Sequence, residues 1–158
     1  PQPPYYSVAD AHEELIAGIN KGPLLFNYFG HGGYQTLGKE TIFSISDVDL
    51  LTNSRYPIFT ALTCLVSNYA SPPLESLAEA LLRHENGGIV AAWSPSGLSD
   101  NEEAVKINQA FVESALNGTP GRIGDAVLTA FEQYAQTDHL PYMLNIFNLL
   151  GDPALVIK

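Results

Sequence analysis

Two side chains of this sequence, Cys64 and His31, have the chemistry and placement that covalent catalysis needs. Cys64 is the only cysteine and ends an apolar run over residues 57–64 (PIFTALTC), and His31 closely follows the apolar run of residues 23–29 (PLLFNYF). A thiolate nucleophile requires a base such as imidazole within hydrogen-bonding reach. A single buried cysteine alone is usually a small core residue. The two glycines after His31 are more telling, because glycine lets a backbone turn sharply and approach a ligand closely.

Each apolar run is typical of a buried strand, and we predict strands over residues 24–29 and 58–63. Unbroken apolar strands favour a parallel sheet that is covered on both faces. Open α/β sheets bind their ligands beyond the carboxyl ends of the strands. His31 and Cys64 are 33 residues apart in the sequence, but neighbouring parallel strands would bring them to the same rim of the sheet.

The rest of the chain alternates between helix and strand. Apolar spacing and turn residues predict helices over residues 8–20, 74–86, 101–117 and 122–136, and further strands over residues 89–93 and 154–157. Residues 46–49 (SDVD) resemble a capping box before a short helix. This order predicts an α/β fold with a mainly parallel sheet. Because only four strands are predicted, where about five or six are usual, we expect residues 1–158 to be a single domain or the C-terminal portion of a larger unit, without its N-terminal strands.

The composition of the chain argues against several kinds of partner and binding site. The chain has 158 residues, of which 46% are hydrophobic, and a formal net charge of −10. The negative charge argues against nucleic acid and anionic lipid as partners and favours cationic substrates or an extracellular setting. No apolar run approaches the roughly 20 residues of a membrane span. One cysteine excludes an internal disulfide and a cysteine-based zinc site.

Five short motifs carry a resemblance to a known family. They are, in order, NYFGHG at residues 27–32, TALTC at 60–64, SLAEALL at 76–82, GGIVA at 87–91 and NLLGDP at 148–153. Together they resemble the catalytic domain of gingipain-type cysteine peptidases, which belong to the broader caspase, legumain and separase group. The resemblance covers roughly residues 8–157.

The resemblance implies a caspase-like α/β/α sandwich and a cysteine-type endopeptidase that works through a Cys-His dyad and a thioester acyl-enzyme. Cys64 would be the nucleophile, and His31 would assist the thiol and protonate the leaving amine. The backbone N–H groups of Gly32 and Cys64 would form the oxyanion hole. The physics suits these roles, because a nearby imidazolium favours a thiolate and aimed N–H donors stabilise a tetrahedral oxyanion.

The resemblance also implies a substrate-binding segment after the third strand, with Trp93, Ser94 and Gly97 as candidates. Trp93 has two alternative roles, as the floor of a specificity pocket or as a core residue. Asp100, just beyond, is interpreted as a helix cap in preference to a contact for a basic substrate side chain. The family commonly has Ala or Ser before the cysteine, where this chain has Thr63. An acidic partner for His31 lies upstream in relatives and is not assigned here.

No cofactor is expected, and no metal site is assigned. Bound calcium is a structural feature of relatives, so the resemblance implies a structural calcium, although no dense Asp-x-Asp pattern supports one. The expected partners are a protein or peptide substrate and an N-terminal half or propeptide of the same protein, and the expected location is secreted or cell-surface in a bacterium.

Two other functions stay open at this point. The first is a non-catalytic caspase-like scaffold or assembly module, which the apparent truncation favours and the presence of both His31 and Cys64 opposes. The second is a sortase-like transpeptidase, which would pass the acyl group from the same cysteine to an amine instead of water.

Overall fold

The computed structural model describes residues 6–116 and 121–157. Its elements are α1 (Val8–Asn20), β1 (Leu25–Phe29), β2 (Thr36–Leu37), β3 (Phe43–Ser44), a 3-10 helix (Ile45–Leu50), β4 (Ile58–Leu62), α2 (Leu77–Arg83), β5 (Ala91–Pro95), α3 (Asn101–Leu116), α4 (Ile123–Ala135), α5 (Met143–Ile146) and β6 (Phe147–Leu150). None of the helices described is long and apolar enough to cross a membrane.

The main sheet has the strand order β1-β4-β5-β6. β1, β4 and β5 run parallel, and β6 runs antiparallel to β5. Among the strands described, β1 pairs with β4 alone, and β2 and β3 form a separate antiparallel pair. The prediction of an α/β fold with a mainly parallel sheet is therefore confirmed.

Each face of the sheet has its own apolar core. On one face, Trp93 of β5 packs among residues of α3 and α4, including Phe111 and Ala130. On the other face, Phe59 of β4 packs with residues of α1 and α2, including Leu77. All five residues of β4 and of β5 are buried, because these central strands have a neighbour on each side and a helical layer on each face. The arrangement is a three-layer α/β/α sandwich.

Local signals in the sequence explain where the helices begin. Ser7 caps α1, because its hydroxyl accepts a hydrogen bond from the Asp10 N–H at 3.1 Å. Ser76 caps α2 in a capping box, and its own N–H donates to Glu79 Oε2 at 2.9 Å. The predicted helix over residues 74–86 is therefore shorter in the structure and follows Ser76.

The predicted fourth strand over residues 154–157 is wrong. The fourth strand is β6, at Phe147–Leu150, and residues 154–157 contribute only an isolated bridge between Val156 and Arg122. The physical reason is packing, since β6 pairs with the free edge of β5 and Phe147 packs against Trp93, with ring centroids 5.4 Å apart and the ring planes tilted by 56°. The predicted third strand at 89–93 also begins later, at Ala91.

A buried polar cluster ties α3 to α4 and to the loop that follows α4. Glu103 accepts hydrogen bonds from Lys106 Nζ at 2.6 Å, from the Tyr134 hydroxyl, and from the Leu140 N–H at 3.2 Å. The bonds from Lys106 and Tyr134 hold the pKa of Glu103 below its usual range in spite of its burial. Burial, and then the bond to Glu103, raise the pKa of Tyr134.

Candidate active site

The register of β1 and β4 brings His31 and Cys64 to the same rim of the sheet. Phe29 is paired with Leu62, and His31 and Cys64 each lie two residues beyond their member of that pair. The Gly30 N–H extends the ladder by donating to the Leu62 carbonyl at 3.2 Å. The two candidate catalytic residues therefore leave adjacent parallel strands at matching positions, as predicted from the two apolar runs.

His31 begins a tight hairpin, which we call the histidine loop (residues 30–38). The His31 carbonyl accepts hydrogen bonds from the Tyr28 hydroxyl and from the Gly38 N–H, each at 2.7 Å. Gly32 faces Leu37 across an antiparallel bridge. The His31 side chain is exposed, so its backbone is fixed while its imidazole is accessible to a ligand.

The histidine loop is also attached to the start of α2. The Leu77 N–H donates to the Tyr34 carbonyl at 2.7 Å, and the Gln35 side-chain amide donates to the Glu75 carbonyl at 2.9 Å. The Leu77 N–H is one of the N–H groups that a helix leaves without an internal partner. The loop therefore supplies a carbonyl that the helix needs, and the helix in turn holds the loop.

Cys64 lies in a second loop, which we call the cysteine loop (residues 63–68). Leu65, the next residue, has a φ of +63°, a left-handed conformation that is uncommon for residues other than glycine. The Leu65 N–H donates to the Gly97 carbonyl at 3.1 Å. The Cys64 thiol donates to the Ser99 carbonyl, with Sγ and O 3.7 Å apart. Both bonds reach the segment after β5, residues 96–100, which we call the third loop.

The predicted oxyanion donors are not used in the backbone hydrogen bonding of the two loops. Among the described residues, the backbone N–H groups of Gly32 and Cys64 make no hydrogen bond. In the bridge between Gly32 and Leu37, the bonds run from Gly38 to His31 and from Gly33 to Thr36. The Gly32 N–H consequently points away from its own hairpin.

The three predicted substrate-binding residues are placed differently from one another. Trp93 is fully buried and stacks on Phe111 with ring centroids 5.5 Å apart. Ser94 is also fully buried and shares a hydrogen bond with the Ser67 hydroxyl. Only Gly97 lies in the third loop, beside the cysteine loop. Burial thus shows the core role for Trp93, and the substrate-binding role of Trp93 and Ser94 stays a prediction that their burial does not support.

Asp100 acts as the N-terminal cap of α3. Its Oδ1 accepts hydrogen bonds from the N–H groups of Glu102 at 3.0 Å and Glu103 at 3.1 Å. This confirms the interpretation of Asp100 as a helix cap. The cap also anchors the end of the third loop, immediately after the Ser99 carbonyl that the thiol contacts.

Sequence reasoning missed two residues of this site, Tyr28 and Ser99. Tyr28 stands inside the NYFGHG motif, but its contact with the His31 carbonyl depends on the fold of the loop. Ser99 takes part through its backbone carbonyl, and a backbone contact leaves no residue-type signal.

No metal centre is found in the described part of the chain. Within residues 6–116 and 121–157, no three His, Cys, Asp or Glu side chains lie close enough together to hold an ion. The structural calcium implied by the family resemblance has no ligand cluster there and stays a prediction.

Comparisons with known proteins agree with this fold. The model of peptidase family C25 matches residues 4–158. A complex of the pro- and mature domains of RgpB from Porphyromonas gingivalis is similar in structure, with a TM-score of 0.84 and 22% identity over 93% of this chain and 37% of that chain. No curated protein matches the chain.

Two further solved structures share the fold. The Arg-specific cysteine proteinase gingipain R (RgpB) gives a TM-score of 0.77 and 23% identity over 92% of this chain and 36% of that chain. A structure of a protease gives a TM-score of 0.70 and 18% identity over 89% of this chain and 37% of that chain. The chain therefore spans little more than a third of the length of each structure that it resembles.

Proposed function

This chain belongs to peptidase family C25, and on that premise we propose that it supplies the Cys-His dyad of a cysteine endopeptidase. The observation that carries the proposal is the matched exit of His31 and Cys64 from the paired residues Phe29 and Leu62 of adjacent parallel strands. The exposure of His31 adds support, as do the backbone N–H groups of Gly32 and Cys64, which make no hydrogen bond among the described residues.

The proposed reaction begins at the Cys64 thiol. His31 takes the thiol proton, and Sγ attacks the carbonyl carbon of the scissile peptide bond. The carbonyl oxygen becomes an oxyanion, which the N–H groups of Gly32 and Cys64 stabilise. Removing one such donor has cost about 3 kcal/mol of transition-state stabilisation in other enzymes.

The second half of the reaction releases the products. The imidazolium of His31 gives its proton to the leaving amine as the C–N bond breaks, which leaves a thioester on Cys64. His31 then removes a proton from water, and the resulting hydroxide attacks the thioester. The thiolate leaves and takes back a proton from the His31 imidazolium, the new carboxylic acid departs, and the dyad is restored to a thiol and a neutral imidazole.

One rearrangement is needed before the first proton transfer. In the structure the Cys64 thiol donates to the Ser99 carbonyl of the third loop. For His31 to accept that proton, the thiol must rotate away from the third loop and toward the histidine loop.

We propose the partners from the family membership of this chain and from the fraction of the similar structures that the chain covers. The substrate is a protein or peptide. One similar structure is a complex of pro- and mature domains, which supports a propeptide as a further partner. This chain covers 37% of that structure's chain, which supports an N-terminal half of the same protein as an alternative partner. We also propose that the protein is secreted or located at the cell surface of a bacterium. The dyad needs no cofactor, and the scaffold and transpeptidase alternatives gain no support from a described residue.

The experiment that tests the dyad is alkylation of Cys64 by iodoacetamide across pH, followed by mass spectrometry. An ordinary thiol reacts mainly above about pH 8, because its pKa is near 8.5. We expect Cys64 to react rapidly below pH 7 and His31→Ala to remove that reactivity. Cys64→Ala should also abolish peptide hydrolysis. The circular dichroism spectrum of this variant should match the spectrum of the unchanged chain.

The matched control is His84→Gln. His84 follows α2 and contacts the Leu51 carbonyl at 3.0 Å, close to the turn that leads into the amino end of β5. Its replacement should leave the alkylation profile unchanged. Slow alkylation of the unchanged chain below pH 7, or equal profiles for His31→Ala and the unchanged chain, would refute the dyad.

A further inference from the structure

Tyr28 places its hydroxyl group on the backbone of the candidate catalytic histidine. The hydroxyl donates to the His31 carbonyl oxygen at 2.7 Å, and the Gly38 N–H donates to the same oxygen at 2.7 Å. Tyr28 belongs to β1, while Gly38 closes the histidine loop. One carbonyl oxygen thus joins the strand that precedes His31 to the far end of its loop.

Gly30, between Tyr28 and His31, leaves room for the phenol ring of Tyr28. Gly30 has a φ of +155°, and a Cβ added to it would lie 2.7 Å from the Tyr28 hydroxyl oxygen. A side chain at this position would push the hydroxyl off the His31 carbonyl. The absence of a side chain at Gly30 therefore leaves room for the contact.

The hydroxyl keeps its proton at neutral pH. Burial raises the pKa of Tyr28, the Gly38 N–H opposes that rise, and the negative charge of Glu40 adds to it. A protonated phenol is a donor to a carbonyl oxygen. The hydrogen bond to His31 is therefore available over the whole range in which a Cys-His dyad would work.

From these contacts we infer that Tyr28 is a positioning residue for the dyad, acting through the His31 carbonyl. By fixing the backbone on one side of His31, the hydroxyl aims the imidazole at Cys64 and the next N–H, that of Gly32, at the oxyanion. This inference rests on the proposed peptidase function. Without the hydroxyl, only Gly38 would hold the His31 carbonyl, and the loop would sample other orientations.

The test replaces the hydroxyl alone, in Tyr28→Phe, which keeps the aromatic ring and its packing. The control is Tyr56→Phe, since Tyr56 lies just before β4 at the opposite rim of the sheet and is 45% exposed. Each variant is compared with the unchanged chain in two measurements. The first is amide hydrogen exchange over residues 30–38 and 58–62, and the second is the pH profile of Cys64 alkylation.

We expect Tyr28→Phe to exchange faster over residues 30–38 with no change over residues 58–62. We also expect its Cys64 alkylation at pH 6 to fall about tenfold, the effect of about 1.4 kcal/mol, which is within the range for one lost hydrogen bond. Tyr56→Phe should match the unchanged chain in both measurements.

The possible outcomes distinguish a failure of the Tyr28 inference from a failure of the proposed peptidase function. If the unchanged chain alkylates slowly at pH 6, or if His31→Ala alkylates as fast, the dyad itself is refuted and the inference falls with it. If His31→Ala is slow but Tyr28→Phe keeps the unchanged pH profile, the dyad stands and the positioning role is overturned. Faster exchange with an unchanged profile also overturns it, because the hydroxyl would then serve loop stability alone.

Discussion

Gly32 lies so close to Thr63 that no residue with a side chain fits at position 32 without a clash. A Cβ placed on Gly32 would be 2.5 Å from Thr63 Oγ1 and 3.1 Å from the Thr36 carbonyl oxygen. Thr63 immediately precedes the candidate nucleophile, and Gly32 immediately follows the candidate base. The contact therefore joins the two loops of the dyad directly. Within the described residues the buried Thr63 hydroxyl has no hydrogen-bond partner, so the contribution of Thr63 here is its shape.

Replacing Gly32 by Ala should reduce peptide hydrolysis without unfolding the chain. The new methyl group would push the histidine loop away from Thr63 and displace the Gly32 N–H from the oxyanion. A displacement of about 1 Å can cost about 100-fold in rate, so we expect kcat/KM to fall between about 10- and 100-fold. The measurement is steady-state hydrolysis of a peptide substrate, with a thermal melt to check the fold.

Gly33 supplies the matched control for Gly32. A Cβ on Gly33 would meet only Thr36 Oγ1, at 3.4 Å, which is an ordinary contact, so Gly33→Ala should keep its activity. Thr63→Ala should restore part of the activity in the Gly32→Ala background, because it removes the nearer of the two clashes. Equal activity of Gly32→Ala and Gly33→Ala would show that the close contact has no role.

Replacing Trp93 should destabilise the chain instead of weakening substrate binding. Trp93 is fully buried and packs against Phe111, Phe131 and Phe147. Truncating a buried aromatic residue to alanine typically costs about 3–5 kcal/mol. We therefore expect Trp93→Ala to lower the free energy of unfolding by about that amount in urea titrations, and the milder Trp93→Phe to lower it by less.

Leu98 is the control for Trp93, because it stands in the third loop and is 71% exposed. Leu98→Ala should change the free energy of unfolding by less than about 0.5 kcal/mol, as is usual for exposed positions. A Trp93→Phe variant with unchanged stability and a raised KM would instead show that Trp93 belongs to the substrate pocket.

The central strands and the rim of the site could be predicted from sequence because their signals are local. The run over residues 57–64 carries no charged residue, and its only polar side chains besides the cysteine are Thr60 and Thr63, as suits a strand with both faces covered. Cys64 ends this run, and His31 follows the run over residues 23–29 after Gly30, so their place at the rim follows from the direction of the strands. Asp100 could be predicted as a cap for the same reason, since capping depends on the next three residues.

Contacts that depend on distant parts of the chain could not be predicted. Residues 142–150 are apolar without a clear period, and their division into α5 and β6 depends on Phe147 packing against Trp93 of another strand. The burial of Trp93 itself results from the helices that cover its face of the sheet. The bond from Tyr28 to the His31 carbonyl requires the hairpin that returns to Gly38.

Removing the cap of α3 should loosen the third loop. Asp100 accepts hydrogen bonds from the N–H groups of Glu102 and Glu103, and loss of such a cap costs about 1 kcal/mol. Asp100→Ala should lower the free energy of unfolding by about this amount, while Asp100→Asn should retain most of it, because Asn is also a good cap. Urea denaturation of both variants measures the difference.

The same pair of variants tests the other role considered for Asp100. If Asp100 contacted a basic side chain of the substrate, Asp100→Asn would raise KM for peptides with Arg or Lys at the cleavage site. We expect KM to be the same in Asp100→Asn and the unchanged protein, because the carboxylate is used by the helix. A rise in KM that is selective for basic peptides would show that capping is not the main role of Asp100.

The Glu103 cluster should make the stability of the chain depend on pH in the acid range. The bonds from Lys106 and Tyr134 hold the pKa of Glu103 below the usual value of 4.5. A carboxyl group whose pKa is lower in the folded state than in the unfolded state stabilises the fold fully above its unfolded pKa. That contribution is lost as the pH falls through the lower, folded pKa, when the carboxylate becomes protonated in both states.

Glu103→Gln should therefore be less stable than the unchanged chain at pH 7, by about 1 kcal/mol, the typical net value of one hydrogen bond. The difference between the two should shrink below about pH 4.5, the usual value for this group. Urea midpoints measured from pH 7 to pH 3 give both curves. Glu132→Gln is the control, since Glu132 is exposed on α4 and its replacement should cause no comparable difference. A gap between Glu103→Gln and the unchanged chain that stays constant down to pH 3 would show that the charge of Glu103 does not stabilise the contact between α3 and α4.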